Sequence, residues 1–167
     1  MSLNLIPDYK FDTFDCVTVD FLKSLGIRGV LLDVDNTLEP YENPVPGERV
    51  LAWFSSLSAA GIKYAIISNN NKKRVDRFTQ GVSVAAYPMS CKPFKRNLVR
   101  AMRDMGIERS ETLFIGDQIF TDVWAAHNAG IAAVIVPPIN DKRDLITRFK
   151  RFLERPFMRR YEKRQGR

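Results

Sequence analysis

The chain alternates between short, wholly apolar runs and longer segments whose apolar residues recur every three or four positions. The short runs are typical of strands buried on both faces, and the longer segments are typical of amphipathic helices. We predict strands at 29–35, 62–67, 82–86, 112–115 and 131–136. We predict helices at 18–25, 47–60, 71–79, 93–105, 123–129 and 141–155. Residues 1–15 show no clear period and are expected to wrap the edge of the domain.

This alternation of strands and helices predicts an α/β fold, a Rossmann-like parallel sheet with helices on both faces. At 167 residues, with 45% hydrophobic and 27% charged residues, the chain has the size and composition of one globular domain. We expect that domain to span residues 1–155 and to be followed by a short basic tail at 156–167.

The positive charge is concentrated in that C-terminal part. The chain carries a net charge of +7, and residues 142–167 hold eleven Lys and Arg against three acidic residues. Beyond Pro156, apolar Phe157 and Met158 lie among these cations, so the tail is suited to peripheral contact with an anionic membrane. The alternative is that the last helix only covers the sheet and that its charges are solvated. Its inward stripe would then be Leu145, Ile146, Phe149, Phe152 and Leu153.

The lack of recognisable targeting features and the small number of cysteines lead us to expect a cytoplasmic protein. The N-terminus lacks the basic start and apolar run of a signal peptide. The longest apolar run, 131–139, contains two prolines and is shorter than the roughly 20 residues that cross a bilayer. Cys16 and Cys91 are too few for a disulfide framework, so we expect reduced thiols.

Four of the predicted strands end in polar side chains. In chain order these are Asp33 with Asp35, Ser68 with Asn69, Lys92, and Asp117 with Asp122. The carboxyl ends of parallel strands meet at one edge of a sheet, so we expect these groups in one crevice. Carboxylates suit a hard cation such as Mg²⁺, while a hydroxyl, an amide and an ammonium suit a phosphate. Together they predict phosphoryl transfer.

These motifs resemble those of the haloacid dehalogenase (HAD) superfamily of phosphatases. DVDNT at 33–37 is similar to its first motif, Ser68 to its second, Lys92 to its third and GDQIFTD at 116–122 to its acidic fourth. The wider chain, apart from its basic end, is similar to the YqeG branch of subfamily IIIA. That branch is related to the mitochondrial phosphatidylglycerophosphate phosphatases.

The resemblance implies a role for each residue. Asp33 would be the nucleophile that forms an aspartyl-phosphate, and Asp35 would be the general acid and base. Ser68 would hold the phosphoryl oxygens, which Asn69 could also reach. Lys92 would offset the charge of the phosphate and of Asp33.

The resemblance also implies a metal and an open crevice. Asp33, Asp117 and the backbone carbonyl of Asp35 would bind Mg²⁺, and Asp122 would bind it through water or hold the other ligands. Family members often carry a cap domain over the site, for which this chain has only 38–46 and 87–90 available. We therefore expect no cap domain. An open crevice suits a bulky, polymeric or membrane-held substrate, or an oligomer that closes it.

Basic residues beside the motifs are open to two interpretations. Lys72, Lys73 and Arg74 are read mainly as a solvated helix start, although they could line the mouth of the crevice. Lys95 and Arg96, one turn beyond Lys92, could meet an anionic headgroup.

Three functions remain open from the residues and the resemblance. The first is a Mg²⁺-dependent phosphatase of a phosphorylated lipid headgroup, phosphatidylglycerophosphate in particular, and the second is a phosphatase of a soluble phosphomonoester. The third, a protein that binds nucleic acid or ribosomes through its basic tail, is disfavoured because a pure binder has no need of four catalytic motifs.

Overall fold

The computed structural model describes residues 4–140 and 145–166, with the backbone alone for residues 145–151. Within these residues, six strands and six α-helices follow one another. They are β1 (Tyr9–Lys10), α1 (Val19–Ser24), β2 (Gly29–Leu32), α2 (Glu48–Ala59), β3 (Lys63–Ile67), α3 (Lys72–Thr79), β4 (Ala85–Tyr87), α4 (Arg96–Met105), β5 (Thr112–Gly116), α5 (Trp124–Ala129), β6 (Ala132–Ile135) and α6 (Leu145–Gln165). A π-helical turn at Ile119–Val123 leads directly into α5.

All six strands form one parallel sheet in the order β1-β6-β5-β2-β3-β4. The central strand β2 pairs with β3 on one side and β5 on the other, and Leu32 lies opposite both Ile66 and Ile115. The three central strands therefore end at the same level. This register confirms the predicted α/β fold and brings the polar clusters to one edge of the sheet.

Helices cover both faces of this sheet. In β2, Val30 and Leu32 pack on the face covered by α1, α2 and α3, whereas Leu31 packs on the face covered by α4 and α5. All three side chains are fully buried. Burial of such a side chain stabilises the fold by about 1.5–3 kcal/mol, and burial on both faces explains why the strand is apolar throughout.

Two helix starts are capped by side chains. The Thr18 hydroxyl accepts a hydrogen bond from the Phe21 backbone N–H at 3.2 Å, before α1. The Asn71 side chain accepts one from the Arg74 backbone N–H at 2.9 Å, before α3. Each cap satisfies one of the N–H groups that a first helical turn leaves unpaired.

Several elements differ from the prediction, and β2, for example, ends at Leu32 instead of residue 35. Strand β1 was not predicted, because two residues that pair only with β6 are too short to show a period. Strand β4 lies at Ala85–Tyr87 instead of 82–86. Helix α4 begins at Arg96 instead of Pro93, because residues 91–94 close a turn in which the Phe94 N–H donates to the Cys91 carbonyl.

The last helix differs most from the prediction. It continues through Pro156 to Gln165 instead of ending at 155, and the predicted start at 141–144 lies outside the described residues. Proline costs the helix one hydrogen bond. Buried Glu154 and half-buried Phe157, on either side of it, both contact the π-helical turn, and these contacts hold the helix together.

The stripe predicted to face the sheet from this helix was also wrong where it can be checked. Phe152 and Leu153 are 60% and 41% exposed, and Glu154, Phe157 and Met158 face inward instead. The side chains of the other three predicted stripe residues, Leu145, Ile146 and Phe149, lie outside the described residues.

The connection from β2 to α2, residues 33–47, contains turns and one isolated bridge between Asp35 and Glu39, and neither a helix nor a strand of its own. Within the described chain, no helix combines the length and the apolar character that crossing a membrane requires.

Candidate active site

Three aspartates meet below the carboxyl ends of β2 and β5. Asp33 follows β2 directly, Asp117 follows β5, and Asp122 lies on the π-helical turn. They are only 7%, 1% and 1% exposed, and one carboxylate oxygen of each lies within 4.8 Å of the others. Buried like charges at this distance repel one another, so the cluster requires compensating positive charge.

Lys92 supplies part of that charge. Its ammonium lies 2.6 Å from Oδ1 of Asp33 and 2.7 Å from Oδ1 of Asp122, and its side chain is 2% exposed. The ammonium also lies 5.3 Å from the ring centroid of Phe114 on β5. Through these ion pairs, Lys92 connects the loop after β4 to Asp33 of the first motif and to Asp122 of the fourth.

Electrostatics at the site follow from this burial. Desolvation raises the pKa of Asp33 from its ordinary 3.8 to about 6, against the attraction of Lys92, and the repulsion of Asp122 adds to the increase. Burial alone would lower the pKa of Lys92, but Asp122 and Asp33 outweigh burial and raise it. Lys92 is therefore a fixed cation, whereas burial makes the Asp33 carboxylate easier to protonate than an exposed one.

This donor set fits a divalent cation. Asp33 and Asp122 share the single ammonium of Lys92. Burial, the largest cause of the raised pKa of Asp33, penalises its charged form, and a bound cation would offset that penalty. Clustered carboxylate oxygens are the ligands that hard divalent cations prefer.

Gly116 allows the fourth motif to fold as it does. A Cβ at this position would lie 2.5 Å from Cβ, Cγ and Oδ2 of Asp122, closer than any real contact. The Asp122 Oδ2 also accepts a hydrogen bond from the Gln118 backbone N–H at 3.0 Å. The glycine and this bond together direct Asp122 at Lys92.

Thr37 connects the first motif to the fourth. Its hydroxyl lies 3.4 Å from Oδ2 of Asp33 and 3.4 Å from Oδ1 of Asp117, and its side chain is buried. Its backbone N–H donates to the Val34 carbonyl and closes the turn after β2. Thr37 therefore fixes the turn after β2.

Ser68 and Asn69, two of the predicted phosphate-binding residues, make different hydrogen bonds. Ser68 is 1% exposed, and its hydroxyl oxygen accepts a hydrogen bond from the Asn70 backbone N–H at 3.0 Å. The Asn69 amide donates to the Lys92 carbonyl at 3.2 Å and accepts from the Lys92 N–H at 2.6 Å. The Asn69 side chain therefore fixes the backbone that carries Lys92.

Asp35 lines the same crevice but is not part of the three-aspartate cluster. Its Oδ1 accepts hydrogen bonds from Nε and Nη2 of Arg74 at 3.1 and 2.9 Å, and its Oδ2 accepts one from Asn70 at 3.0 Å. Arg74 also donates to the carbonyls of Asn43 and Pro44. Its side chain is 12% exposed, so its interpretation as part of a solvated helix start was wrong.

These groups line a cavity of about 350 Å³ that opens at the carboxyl edge of the sheet. Its lining includes six of the seven predicted site residues, and Asp117 lies buried beneath it. The lining residues are Asp33, Asp35, Ser68, Asn69, Asn70, Lys92, Gln118, Thr121 and Asp122.

Sequence reasoning missed the contribution of Arg74 and Asn70. Both follow β3, and Arg74 reaches Asp35 only because Asn71 starts α3 with Arg74 in its first turn. The one available signal was the position of Arg74 three residues after an Asn suited to capping, and that signal does not indicate which partner the side chain meets.

Comparisons with known proteins agree with this geometry. Residues 19–130 match the family model described as haloacid dehalogenase-like hydrolase. The chain is 33% identical over 150 residues to the protein named "Probable phosphatase YqeG" of Bacillus subtilis, covering 90% of this chain and 87% of that one. It is 25% identical over 108 residues to the glyceraldehyde 3-phosphate phosphatase of Pyrococcus abyssi, covering 59% of this chain and 44% of that one.

Among solved structures, an uncharacterized protein from Listeria monocytogenes superposes with a TM-score of 0.54 at 17% identity. The superposition covers 71% of this chain and 85% of that one. At this identity the likeness concerns the fold, and it agrees with the parallel sheet and its two layers of helices.

Proposed function

Because the chain belongs to the haloacid dehalogenase-like hydrolase family and is an enzyme of its phosphatase type, we propose that it is a Mg²⁺-dependent phosphomonoester hydrolase acting through an aspartyl-phosphate on Asp33. The observation that carries this proposal is the position of Lys92, whose ammonium contacts Asp33 and Asp122 at the base of an open cavity. A fixed cation beside a buried carboxylate can neutralise an incoming phosphate without reorganising.

In the first step, a carboxylate oxygen of Asp33 bonds to phosphorus and the bond to the leaving alkoxide breaks. Lys92 offsets the negative charge that gathers on the phosphoryl oxygens. The Asp35 carboxyl gives its proton to the alkoxide, for which it must leave Arg74 and Asn70.

In the second step, water attacks phosphorus and Asp35 takes its proton. The bond from phosphorus to Asp33 breaks, which releases inorganic phosphate and restores the carboxylate. Ser68 lies at the cavity wall, where its hydroxyl can hold a phosphoryl oxygen in both steps.

Mg²⁺ would be held by Asp33, Asp117 and Asp122, with the Asp35 backbone carbonyl as a further ligand. Bound there, it would supply charge neutralisation for the phosphoryl group. The support for this assignment is the buried carboxylate cluster, in which Asp33 and Asp122 share the single ammonium of Lys92.

For the substrate, we propose a phosphorylated lipid headgroup, phosphatidylglycerophosphate in particular. The cavity has no lid among the described residues, which leaves room for a substrate held in a membrane. Four cations of α6 are exposed and would attract the protein to an anionic surface. They are Arg159, Arg160, Lys163 and Arg164.

A soluble phosphomonoester is the second candidate. It is supported by the similarity to a glyceraldehyde 3-phosphate phosphatase, although this chain spans only 44% of that protein.

The catalytic proposal is tested with a small soluble aryl phosphate and Mg²⁺. Asp33→Asn is expected to reduce turnover by roughly 10⁴-fold or more, because an amide cannot attack phosphorus. Exposed Asp20→Asn is the matched control and is expected to keep wild-type turnover. Turnover of Asp33→Asn at the wild-type rate would show that the mechanism is wrong.

The substrate proposal is tested by offering phosphatidylglycerophosphate in vesicles beside a panel of soluble phosphomonoesters. We expect the highest kcat/KM for the lipid. A higher value for a soluble compound would favour the second candidate.

A further inference from the structure

Two large apolar side chains stand out on the surface of the domain. Phe94 is 69% exposed and Met89 is 67% exposed, more than any other large apolar residue among the described side chains. They lie on the two sides of Lys92, in residues 88–96, which we name the mouth loop. Such side chains are buried in most soluble domains, so their place beside the catalytic lysine calls for an explanation.

The mouth loop is held from below and presents these side chains outward. The Met89 N–H donates to the Asn70 carbonyl at 2.8 Å, and the Ser90 N–H donates to the Ser68 carbonyl at 2.9 Å. Met89 and Cys91 have φ values of 48° and 51°, which residues other than glycine rarely adopt. A turn that is anchored by these backbone hydrogen bonds and exposes two large apolar side chains is suited to insertion into a soft surface.

Three exposed cations lie near the two apolar residues along the chain or across a backbone hydrogen bond. Lys95 and Arg96 directly follow Phe94 in the mouth loop, and Lys73 on α3 comes three residues after Asn70, whose carbonyl accepts from the Met89 N–H. Among the residues that the structure describes, these three cations form no ion pair with a carboxylate. Exposed apolar residues flanked by free cations are the pattern of a surface that binds anionic lipid.

The charge also argues against a second copy of the chain as the partner. A symmetric dimer through this surface would bring Lys95 and Arg96 towards their own counterparts, and like charges facing each other oppose association. The headgroup region of an anionic membrane accepts both the cations and the apolar side chains.

The far end of α6 lies at the other edge of the sheet from the mouth loop. Glu162 lies 3.9 Å from Lys10 of β1, the edge strand opposite to β4. Phe157 and Met158, which the sequence suggested for the membrane, pack against the domain instead.

We propose that the mouth loop inserts Met89 and Phe94 into the headgroup region of an anionic membrane while Lys73, Lys95 and Arg96 meet the lipid phosphates. This inference rests on the proposed phosphatase function and names the surface through which that function reaches its substrate. It places Lys92 at the membrane, so that a phosphomonoester on a lipid headgroup enters the cavity without passing a lid.

The test uses the full chain and sedimentation with vesicles of phosphatidylcholine, with or without phosphatidylglycerol. Wild type is compared with Met89→Ser/Phe94→Ser and with Lys95→Ser/Arg96→Ser. The control is Lys23→Ser/Leu51→Ser, which removes an exposed cation and an exposed apolar side chain from α1 and α2. Hydrolysis of the soluble aryl phosphate is measured on every variant and reports the folded active site independently.

We expect wild type and control to bind vesicles containing phosphatidylglycerol, and the two mouth-loop variants to bind at least about tenfold more weakly with unchanged aryl phosphate hydrolysis. Binding by the mouth-loop variants that equals wild type overturns the inference. Binding of wild type to neither kind of vesicle, together with a dimer that Met89→Ser/Phe94→Ser disrupts, overturns it in favour of a second copy. Absence of aryl phosphate hydrolysis in wild type instead contradicts the proposed function, whatever the vesicles show.

Discussion

Charged residues dominate two regions of this molecule, the aspartate cluster around Lys92 and the outer face of α6. In the cluster the ammonium of Lys92 and the carboxylate of Asp122 lie 2.7 Å apart and are both 2% exposed. On α6, Glu162 is 61% exposed and lies 3.9 Å from Lys10. A buried charge without its partner is very costly, whereas an exposed pair contributes about 0–1 kcal/mol. Charged residues therefore determine the chemistry of the aspartate cluster, whereas on the outer face of α6 they contribute only long-range attraction to charged partners.

Removal of the central cation should produce the largest effect on stability. Lys92→Met keeps the aliphatic stem but leaves Asp33 and Asp122 buried without their cation. We expect the free energy of unfolding of the metal-free protein to fall by about 3–5 kcal/mol near neutral pH, as measured by urea denaturation.

Arg160→Met on α6 is the matched substitution and is expected to change that free energy by less than about 0.5 kcal/mol. Equal losses in the two variants would contradict the distinction between the two regions.

Mg²⁺ should stabilise the protein in a pH-dependent way. The pKa of Asp33 is raised from 3.8 to about 6, so its contribution to stability is fully present below the unfolded value and is lost as pH rises through the folded one. Above that pH the ionised carboxylate is buried and available to a cation. We expect excess Mg²⁺ to raise Tm strongly at about pH 8 and little at about pH 5, because the proton competes with the metal.

At a Mg²⁺ concentration 100 times Kd, the expected gain in unfolding free energy is about 2.7 kcal/mol. Asp117→Asn should reduce the shift, and exposed Asp20→Asn should not. An equal Tm shift at both pH values would show that Asp33 does not bind the metal in the way proposed.

Gly116→Ala should have an intermediate effect. Its new methyl group would lie 2.5 Å from Asp122 and force that side chain away from Lys92. Overpacking of this kind costs about 1–3 kcal/mol, and we expect kcat on the aryl phosphate to fall as well.

Gly166→Ala, which adds the same methyl group 3.6 Å from the Glu162 carbonyl, serves as the control for this substitution. Wild-type stability and kcat in Gly116→Ala would mean that the fourth motif can move freely.

The smallest effect is expected from neutralising the outer face of α6. Arg160→Ser/Lys163→Ser/Arg164→Ser should leave the unfolding free energy within about 0.5 kcal/mol per site and aryl phosphate turnover unchanged. Phe157→Ala, on the inner face, should destabilise the protein measurably, because Phe157 packs edge-on against Phe120 at 5.8 Å between ring centroids. A deletion of residues 156–167 would combine both effects, so neutralisation tests the cations more cleanly.

The sequence predicted that the side chains of the aspartate cluster and Lys92 meet because the order of strands in the sheet determines their positions. Asp33 follows β2, Lys92 lies in the loop after β4, and Asp117 follows β5. Parallel strands bring the residues after them to the same edge of the sheet, independently of how the side chains pack. Five strands and six helices were predicted in the correct order for the same reason, since burial on one or two faces leaves a clear period.

The features that the sequence did not predict depend on contacts between side chains that are far apart in the sequence. Asp35 and Arg74 are 39 residues apart, and neither residue type indicates the other as its partner. Helix α6 continues through Pro156 because Glu154 accepts a hydrogen bond from the Ile119 N–H at 2.9 Å. Local propensity favours a break there, and a tertiary contact outweighs it.

The central claim is that Asp33 becomes covalently phosphorylated, and trapping that intermediate tests it most directly. Enzyme turning over aryl phosphate with Mg²⁺ is quenched and treated with borohydride, which reduces an aspartyl-phosphate to homoserine, and the peptide containing residue 33 is examined by mass spectrometry. We predict homoserine at position 33 in wild type, more of it in Asp35→Asn, whose second step lacks its base, and none without substrate. Rapid turnover by wild type with unmodified Asp33 in every quenched sample would contradict the account.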